Sequence, residues 1–187
     1  MQALVSSAIL VAAAEIGDKT QLLSFVLAAR LRRPLPIVAG ITVATLANHA
    51  LAGSAGMWVA ARVSATTLTW AVGIAFVGFG LWTLRPDTLD GDLSLIGGGA
   101  FVTTTVAFFL AEMGDKTQLA TVALAARYPG RLGEVVLGTT LGMLAANVPA
   151  VLVGEALAER IPMARIRVVA AVLFVAMGVL TLVRGIG

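Results

Sequence analysis

The chain has 187 residues, of which 59% are hydrophobic and 12% are charged, and its formal net charge is +3. Soluble globular domains carry about 25% charged residues, so this composition, with a mean hydropathy of +0.97, excludes that class and favours a helical membrane protein. Cysteine is absent, which excludes disulfides and thiolate metal sites. The Arg residues lie singly or in small groups between apolar segments, which is typical of topology signals and not of nucleic-acid binding.

Apolar segments long enough to cross a membrane recur along the chain and predict six transmembrane helices. We place the spans at residues 2–29, 35–60, 66–84, 98–127, 132–157 and 163–184. No Lys or Arg precedes the apolar part of the first segment, so we interpret it as a retained span and not as a signal peptide. The predicted fold class is an all-α integral membrane protein.

The chain repeats itself across an acidic break near its middle. The segment Ala14–Leu22 matches Ala111–Leu119 at eight of nine positions with an offset of 97, and both copies contain E-x-G-D-K-T-Q. After a one-residue insertion the offset becomes 98, which pairs Gly40 with Gly138. We therefore predict two three-helix repeats, 1–86 and 98–187, joined by an acidic linker, 87–97.

An odd number of helices per repeat places the second repeat in the membrane upside down relative to the first. Inverted repeats of this kind are typical of secondary transporters, whose sites lie near the midplane. Seven Arg residues lie in the connections after spans 1, 3 and 5, and four lie on the opposite side. This bias predicts that both termini are outside and that the central linker is cytoplasmic.

Six charged residues fall near the middle of the first and fourth predicted spans: Glu15, Asp18, Lys19, Glu112, Asp115 and Lys116. A charge at the bilayer centre costs at least about 2.5–3.5 kcal/mol, so we expect these groups to face one another or a hydrated cavity. In a continuous helix the motif carboxylates share a face with polar residues that follow them. These followers are Gln21 and Ser24 in the first copy, and Gln118 and Thr121 in the second.

Together the two faces offer an oxygen-only ligand set, which suits the hard cations Mg²⁺, Ca²⁺ and Mn²⁺. Four carboxylates and two ammonium groups sum to −2, which one divalent cation or two bound protons would neutralise. We therefore expect an exchange site, with a purely structural ion network as the weaker alternative because buried ion pairs contribute little stability. The metal-ligand candidates are Glu15, Asp18, Glu112, Asp115, Gln21 and Gln118.

Other polar residues of the same spans are secondary or proton-coupling candidates. Lys19 and Lys116 are either fixed counter-ions or groups that move during transport, and Lys19 can pair with Glu15 four residues earlier or with the other repeat. Gly17 and Gly114 allow either close helix approach or a local break. For His49 we favour a hydrogen-bonded structural role over a proton relay. The remaining candidates are Thr20, Thr117, Ser24, Thr121, Asn48 and Asn147.

The duplicated E-x-G-D-K-T, once per three-helix half, resembles the signature of the Gdt-type (transmembrane protein 165-like) cation/proton antiporters, a family grouped with the lysine-exporter superfamily. The resemblance covers essentially the whole chain and implies exchange of Mn²⁺ or Ca²⁺ for protons. It implies that Glu15, Asp18, Glu112 and Asp115 form the cation site. The chain is similar to the minimal bacterial members, which implies a multi-pass protein of the inner membrane that exports Mn²⁺.

These observations predict a secondary antiporter that binds its cation at the midplane and has no resident cofactor. Its expected partners are membrane lipid, the divalent cation and protons, and a homo-oligomer is left open. The alternatives are export of a cationic amino acid, suggested by the superfamily, an intramembrane metal-dependent enzyme, and a channel. The enzyme reading is weak because a lipid-phosphate hydrolase needs Arg beside its carboxylates, and no Arg lies near either motif.

Overall fold

A computed structural model describes residues 1–85, 98–153 and 163–186, and all regular secondary structure within these ranges is helical. The helices are α1 (Gln2–Glu15), α2 (Lys19–Leu31), α3 (Pro34–Ala60), α4 (Ala65–Thr83), α5 (Gly99–Glu112), α6 (Lys116–Arg127), α7 (Leu132–Val153) and α8 (Met163–Arg184). Four of them, α3, α4, α7 and α8, are long and apolar enough to cross a membrane, and α1 and α5 are shorter apolar helices. The protein is therefore an all-helical, multi-pass membrane protein. The predicted linker 87–97 lies outside the described residues.

Several helix ends follow from local sequence signals. Pro34 opens α3, where its missing N–H would have no partner in any case. Ser64 caps α4 by accepting a hydrogen bond from the Thr67 backbone N–H at 3.2 Å. The residue after α2, Arg32, adopts a left-handed φ of 51°, which turns the chain out of the helix. These signals account for the short connections between successive helices.

The first and fourth predicted spans are each broken near the middle, which is one of the two outcomes that Gly17 and Gly114 left open. The region 2–29 contains two helices, α1 and α2, and the region 98–127 likewise contains α5 and α6. Each break includes a glycine with a left-handed φ, 85° at Gly17 and 78° at Gly114, which a right-handed helix cannot contain. The argument that the motif side chains share one continuous helical face therefore does not hold. The polar groups gather around two backbone breaks instead.

Helices from opposite halves of the chain pack against each other: α1 against α7, α3 against α5 and α6, and α4 against α8. Glycine permits the close crossings, because a Cβ on Gly142 would lie 2.5 Å from the Ala8 carbonyl oxygen. At the equivalent crossing, a Cβ on Gly40 would lie 2.9 Å from the carbonyl oxygen of Phe101. Gly40 and Gly138 occupy equivalent positions in the two copies of the repeated sequence. Both lie where a helix from the other half crosses.

We expect Gly142→Ala to destabilise the protein, because the new methyl group meets the backbone of α1 and the helices must separate. Overpacking of this kind costs about 1–3 kcal/mol. Gly133→Ala is the matched control, since a Cβ there would have nothing within 4 Å, and its stability should stay within about 1 kcal/mol of wild type. Thermal unfolding of the detergent-solubilised variants measures both effects. An equal loss in the two variants would contradict the crossing geometry.

Candidate metal centre

The two motifs adopt the same backbone conformation. In each copy the glutamate is the last residue of a helix, the glycine turns the chain with a positive φ, and the aspartate is the extended N-cap of the next helix. The Asp18 N–H donates to the Glu15 carbonyl at 3.0 Å, and the Asp115 N–H donates to the Glu112 carbonyl at 3.1 Å. The C-terminal ends of α1 and α5 therefore point their carbonyl dipoles at the breaks, which favours a cation there.

The lysine of each motif pairs with the aspartate of the other motif. Lys19 Nζ lies 3.1 Å from Asp115 Oδ1, and Lys116 Nζ forms an ion pair and hydrogen bond with Asp18 Oδ1. The second pair is almost fully buried, while the Lys19 side chain keeps 25% of its surface exposed. Of the two partners that the sequence left open for Lys19, the structure shows the one in the opposite repeat.

The two motif glutamates are completely buried. Thr20 Oγ1 donates to Glu15 Oε2 at 2.5 Å, and Thr117 Oγ1 donates to Glu112 Oε2 at 2.9 Å. The second oxygen of each glutamate, Oε1, has no hydrogen-bond partner within residues 1–85, 98–153 and 163–186. Because a buried carboxyl oxygen without a partner is costly, these two groups need a cation or a proton.

Three of the four predicted carboxylate ligands form one cluster. One carboxylate oxygen each from Glu15, Glu112 and Asp115 lie within 4.8 Å of one another, and all three residues are buried. Oxygens on opposite sides of a divalent cation bound at 2.0–2.6 Å are about 4–5 Å apart, so the cluster fits a single such ion. The fourth carboxylate, Asp18, lies on Lys116 and is not part of this cluster. The donor set contains oxygen only.

The motif glutamines lie at the breaks but bond to backbone and amide groups. Gln21 Oε1 accepts from the Gly17 N–H, and Gln118 Oε1 accepts from the Gly114 N–H, both at 2.8 Å. Gln21 Nε2 donates to the Ala146 carbonyl of α7 at 3.1 Å. Gln118 Nε2 donates to Asn48 Oδ1 of α3, also at 3.1 Å.

The secondary candidates divide between these contacts and others. Asn48 Nδ2 donates to the Phe109 carbonyl at 2.9 Å, and Ser24 Oγ donates to Asn147 Oδ1 at 2.7 Å. Thr121 instead donates to the Thr117 carbonyl of its own helix at 2.8 Å. His49 is fully buried, yet neither of its ring nitrogens has a hydrogen-bond partner in the described part of the chain. The hydrogen-bonded role favoured for His49 therefore has no support among the described residues.

Sequence reasoning missed the backbone carbonyls of Ala146 and Phe109, which accept from the polar side chains around the breaks. Residue type carries no information about such groups. A weak signal was present in α7, because Pro149 lies inside that helix and removes the N–H that would bond to the Ala145 carbonyl. That carbonyl is the neighbour of the Ala146 carbonyl to which Gln21 donates, so the proline did not identify the acceptor.

The chain is similar in sequence to known proteins. The sequence profile of the family described as divalent cation/proton antiporter GDT1 matches residues 3–91 and 100–187. A Vibrio cholerae protein named "Putative manganese exporter" is 51% identical over 181 residues, which cover 97% of this chain and 90% of that protein. GDT1-like protein C186.05c of Schizosaccharomyces pombe is 27% identical over 86 residues, covering 46% of this chain and 32% of that protein. No solved structure matches the chain significantly.

The crossed ion pairs predict strong coupling between Asp18 and Lys116. Lys116→Met leaves the buried Asp18 carboxylate without its cation and should cost about 3–5 kcal/mol of stability. The double variant Asp18→Asn, Lys116→Met removes both charges and should recover part of that loss. Thermal unfolding of the wild type, the two single variants and the double variant gives the coupling energy.

The control is the ion pair between Arg131 and Glu134, whose side chains are 54% and 31% exposed. Arg131→Met should cost less than about 1 kcal/mol, because water screens and solvates the remaining charge. Strictly additive losses in the Asp18 and Lys116 variants would contradict a buried pair between the motifs.

Proposed function

Because the chain belongs to the GDT1 family of divalent cation/proton antiporters, we propose that it exports Mn²⁺ from the cytoplasm in exchange for protons at a site formed by both motifs. The name of the Vibrio cholerae relative, which is similar over nearly the whole chain, supports Mn²⁺ as the substrate. Membership in an antiporter family also favours this function over the amino-acid exporter and enzyme alternatives.

The observation that carries the proposal is the pair of buried glutamates. With Lys19 on Asp115 and Lys116 on Asp18, four of the six charges are balanced between the motifs. Glu15 and Glu112 remain, and each has only a threonine hydroxyl as its hydrogen-bond donor in the described structure. One divalent cation neutralises two carboxylates, and so do two protons. Each loaded form of the site is neutral and each can exist in an apolar interior.

The ligand assignment follows from the same geometry. Glu15, Glu112 and Asp115 supply oxygens to one cation, and Asp18 holds Lys116 beside them. An oxygen-only site accepts Mn²⁺ and Ca²⁺ and does not favour metals that prefer sulfur or nitrogen ligands. The carbonyl ends of α1 and α5 add negative electrostatic potential at the two helix breaks. Ca²⁺ is the second substrate candidate, and the family description, a divalent cation, covers both ions.

Alternating access would arise from two inverted repeats, 1–86 and 98–187. In this arrangement α1 with α2, and α5 with α6, each cross the membrane as one broken span, which gives six crossings in total. The two ranges that match the family profile fall on the two repeats, and the equal conformation of the motifs supports their equivalence. Broken helices at the midplane, with helix ends directed at a bound ion, are typical of such transporters.

The excess of Arg in the connections after the first, third and fifth spans supports a topology with both termini outside and the linker 87–97 in the cytoplasm. In a bacterial cell the membrane would be the inner membrane. Export then means that the site loads Mn²⁺ from the side of the linker. Protons load from the opposite side.

We expect Glu112→Gln to abolish coupled transport while the protein still folds in the membrane. The variant leaves a single uncompensated carboxylate, so neither one divalent cation nor two protons give a neutral site. Protein reconstituted in liposomes, with Mn²⁺ uptake and internal pH recorded together under an imposed pH gradient, measures the effect. Wild-type protein should move protons against Mn²⁺, and the variant should move neither above the rate of empty liposomes.

Glu134→Gln is the matched control, because it removes a carboxylate that lies away from the cluster and pairs with Arg131 and the N-terminus. It should transport at the wild-type rate. Uptake of Mn²⁺ by Glu112→Gln at the wild-type rate would refute the site, and uptake by the wild type without proton movement would refute the exchange. Competition by Ca²⁺ and Mg²⁺ in the same assay ranks the substrates.

A further inference from the structure

The glutamine of each motif makes the same pair of contacts in both halves of the protein. Its side-chain oxygen accepts from the backbone N–H of the motif glycine, Gly17 or Gly114, at 2.8 Å. These are the glycines whose positive φ breaks the helix. The hydrogen bond therefore fixes the orientation of the peptide group at the centre of each break.

The nitrogen of the same amide bonds to a helix of the opposite half. Gln21 Nε2 donates to the Ala146 carbonyl of α7, and Gln118 Nε2 donates to Asn48 Oδ1 of α3, each at 3.1 Å. A side-chain amide is planar and carries its acceptor and its donors on different atoms. With both ends engaged, the orientation of the amide is fixed by the glycine N–H on one side and by the opposite half of the protein on the other.

We propose that Gln21 and Gln118 are positioning residues that clamp each helix break to the opposite half, and that they are not ligands of the cation. Each clamped glycine lies between the glutamate and the aspartate of its motif. Fixing that peptide therefore fixes how far apart the two carboxyl groups lie and which way they point. The purpose assigned to the clamps rests on the proposed function, because the groups they position are those of the cation site.

The two glutamines bond to chemically different groups in the opposite half. The partner of Gln21 is a backbone carbonyl, which can only accept hydrogen bonds. The partner of Gln118 is the amide of Asn48, which also donates to the Phe109 carbonyl in the last turn of α5. That carbonyl is left over by the helix end, because the Met113 N–H bonds to Leu110. Asn48 thus holds both sides of the second break.

The offset of 98 aligns Asn48 with Ala146, which has no side-chain amide. The first break therefore has no amide in α7 at the position equivalent to Asn48. An ionised glutamate in place of Gln21 would direct an acceptor at the Ala146 carbonyl, to which the glutamine donates. An ionised glutamate in place of Gln118 would face Asn48 Oδ1, and a rotation of the Asn48 amide by 180° would only direct that oxygen at the Phe109 carbonyl.

The first experiment measures the clamps without metal. Gln21→Met and Gln118→Met keep the side-chain length and remove the acceptor for the glycine N–H. Hydrogen–deuterium exchange of the Gly17 and Gly114 amides should then become about threefold to tenfold faster, each in its own variant. Gln2→Met is the control, because Gln2 is exposed at the start of α1, and it should change neither rate. Unchanged exchange in the two clamp variants would overturn the proposal.

The second experiment compares two variants that add the same charge at equivalent positions, Gln21→Glu and Gln118→Glu, in the liposome assay with Mn²⁺. We expect the transport rate to fall at least about tenfold in Gln21→Glu. Gln118→Glu should lose transport to a similar extent, because its carboxylate faces Asn48 Oδ1. In neither variant should the half-saturation concentration for Mn²⁺ fall.

Cation ligands would behave differently in that comparison. A glutamate that acted as a ligand would keep an oxygen for the cation and add a negative charge, so the half-saturation concentration for Mn²⁺ would fall in both variants. A lower half-saturation concentration or a wild-type transport rate in either variant would overturn the proposal. Because the amide exchange is measured without metal, it remains valid if the wild type carries another cation or no protons, which separates failure of the clamps from failure of the proposed function.

Discussion

The structure depends on balancing six charges inside an apolar bundle. No single repeat can do this, because each motif carries two carboxylates and one ammonium group. The crossed pairs, Lys19 with Asp115 and Lys116 with Asp18, use the lysine of each half to neutralise the aspartate of the other. Separation of the motifs would break both pairs, in which all groups but Lys19 are buried, at a cost of several kcal/mol. These pairs therefore link the two halves at the carboxylate cluster of Glu15, Glu112 and Asp115.

This arrangement explains why the lysines belong to the site although they cannot bind a metal. They reduce four negative charges to two, and two is the number that a divalent cation or a proton pair can neutralise. Without the lysines, the protonated site would need four protons in place of two. In the proposed exchange, the lysines thus set the charge that is carried, and the glutamates hold the two charges that remain unbalanced.

The sequence predicted the clustering of Glu15, Glu112 and Asp115 better than it predicted the backbone that holds them. The free-energy cost of burying a charge identified Glu15, Glu112 and Asp115, because a carboxylate in an apolar span is unfavourable unless other groups compensate it. The helical period of the apolar residues did not distinguish a continuous helix from a break at Gly17 and Gly114, because both conformations satisfy the same apolar pattern. Glycine favoured neither outcome by itself. The contacts of Gln21 with the Ala146 carbonyl lay beyond sequence reasoning, because backbone acceptors carry no residue signature.

Close helix packing and the polar site are parts of one constraint. The α1–α7 crossing at Gly142 brings the backbones into direct contact, and α2 continues from the end of α1 along the same helix α7. Gln21 and Ser24 can reach Ala146 and Asn147 only because this crossing is tight. In a wider crossing, both donors would lie too far from their acceptors to form hydrogen bonds, and the membrane interior offers no water in their place. The small residues that make the sequence so apolar therefore determine the geometry of its few charged ones.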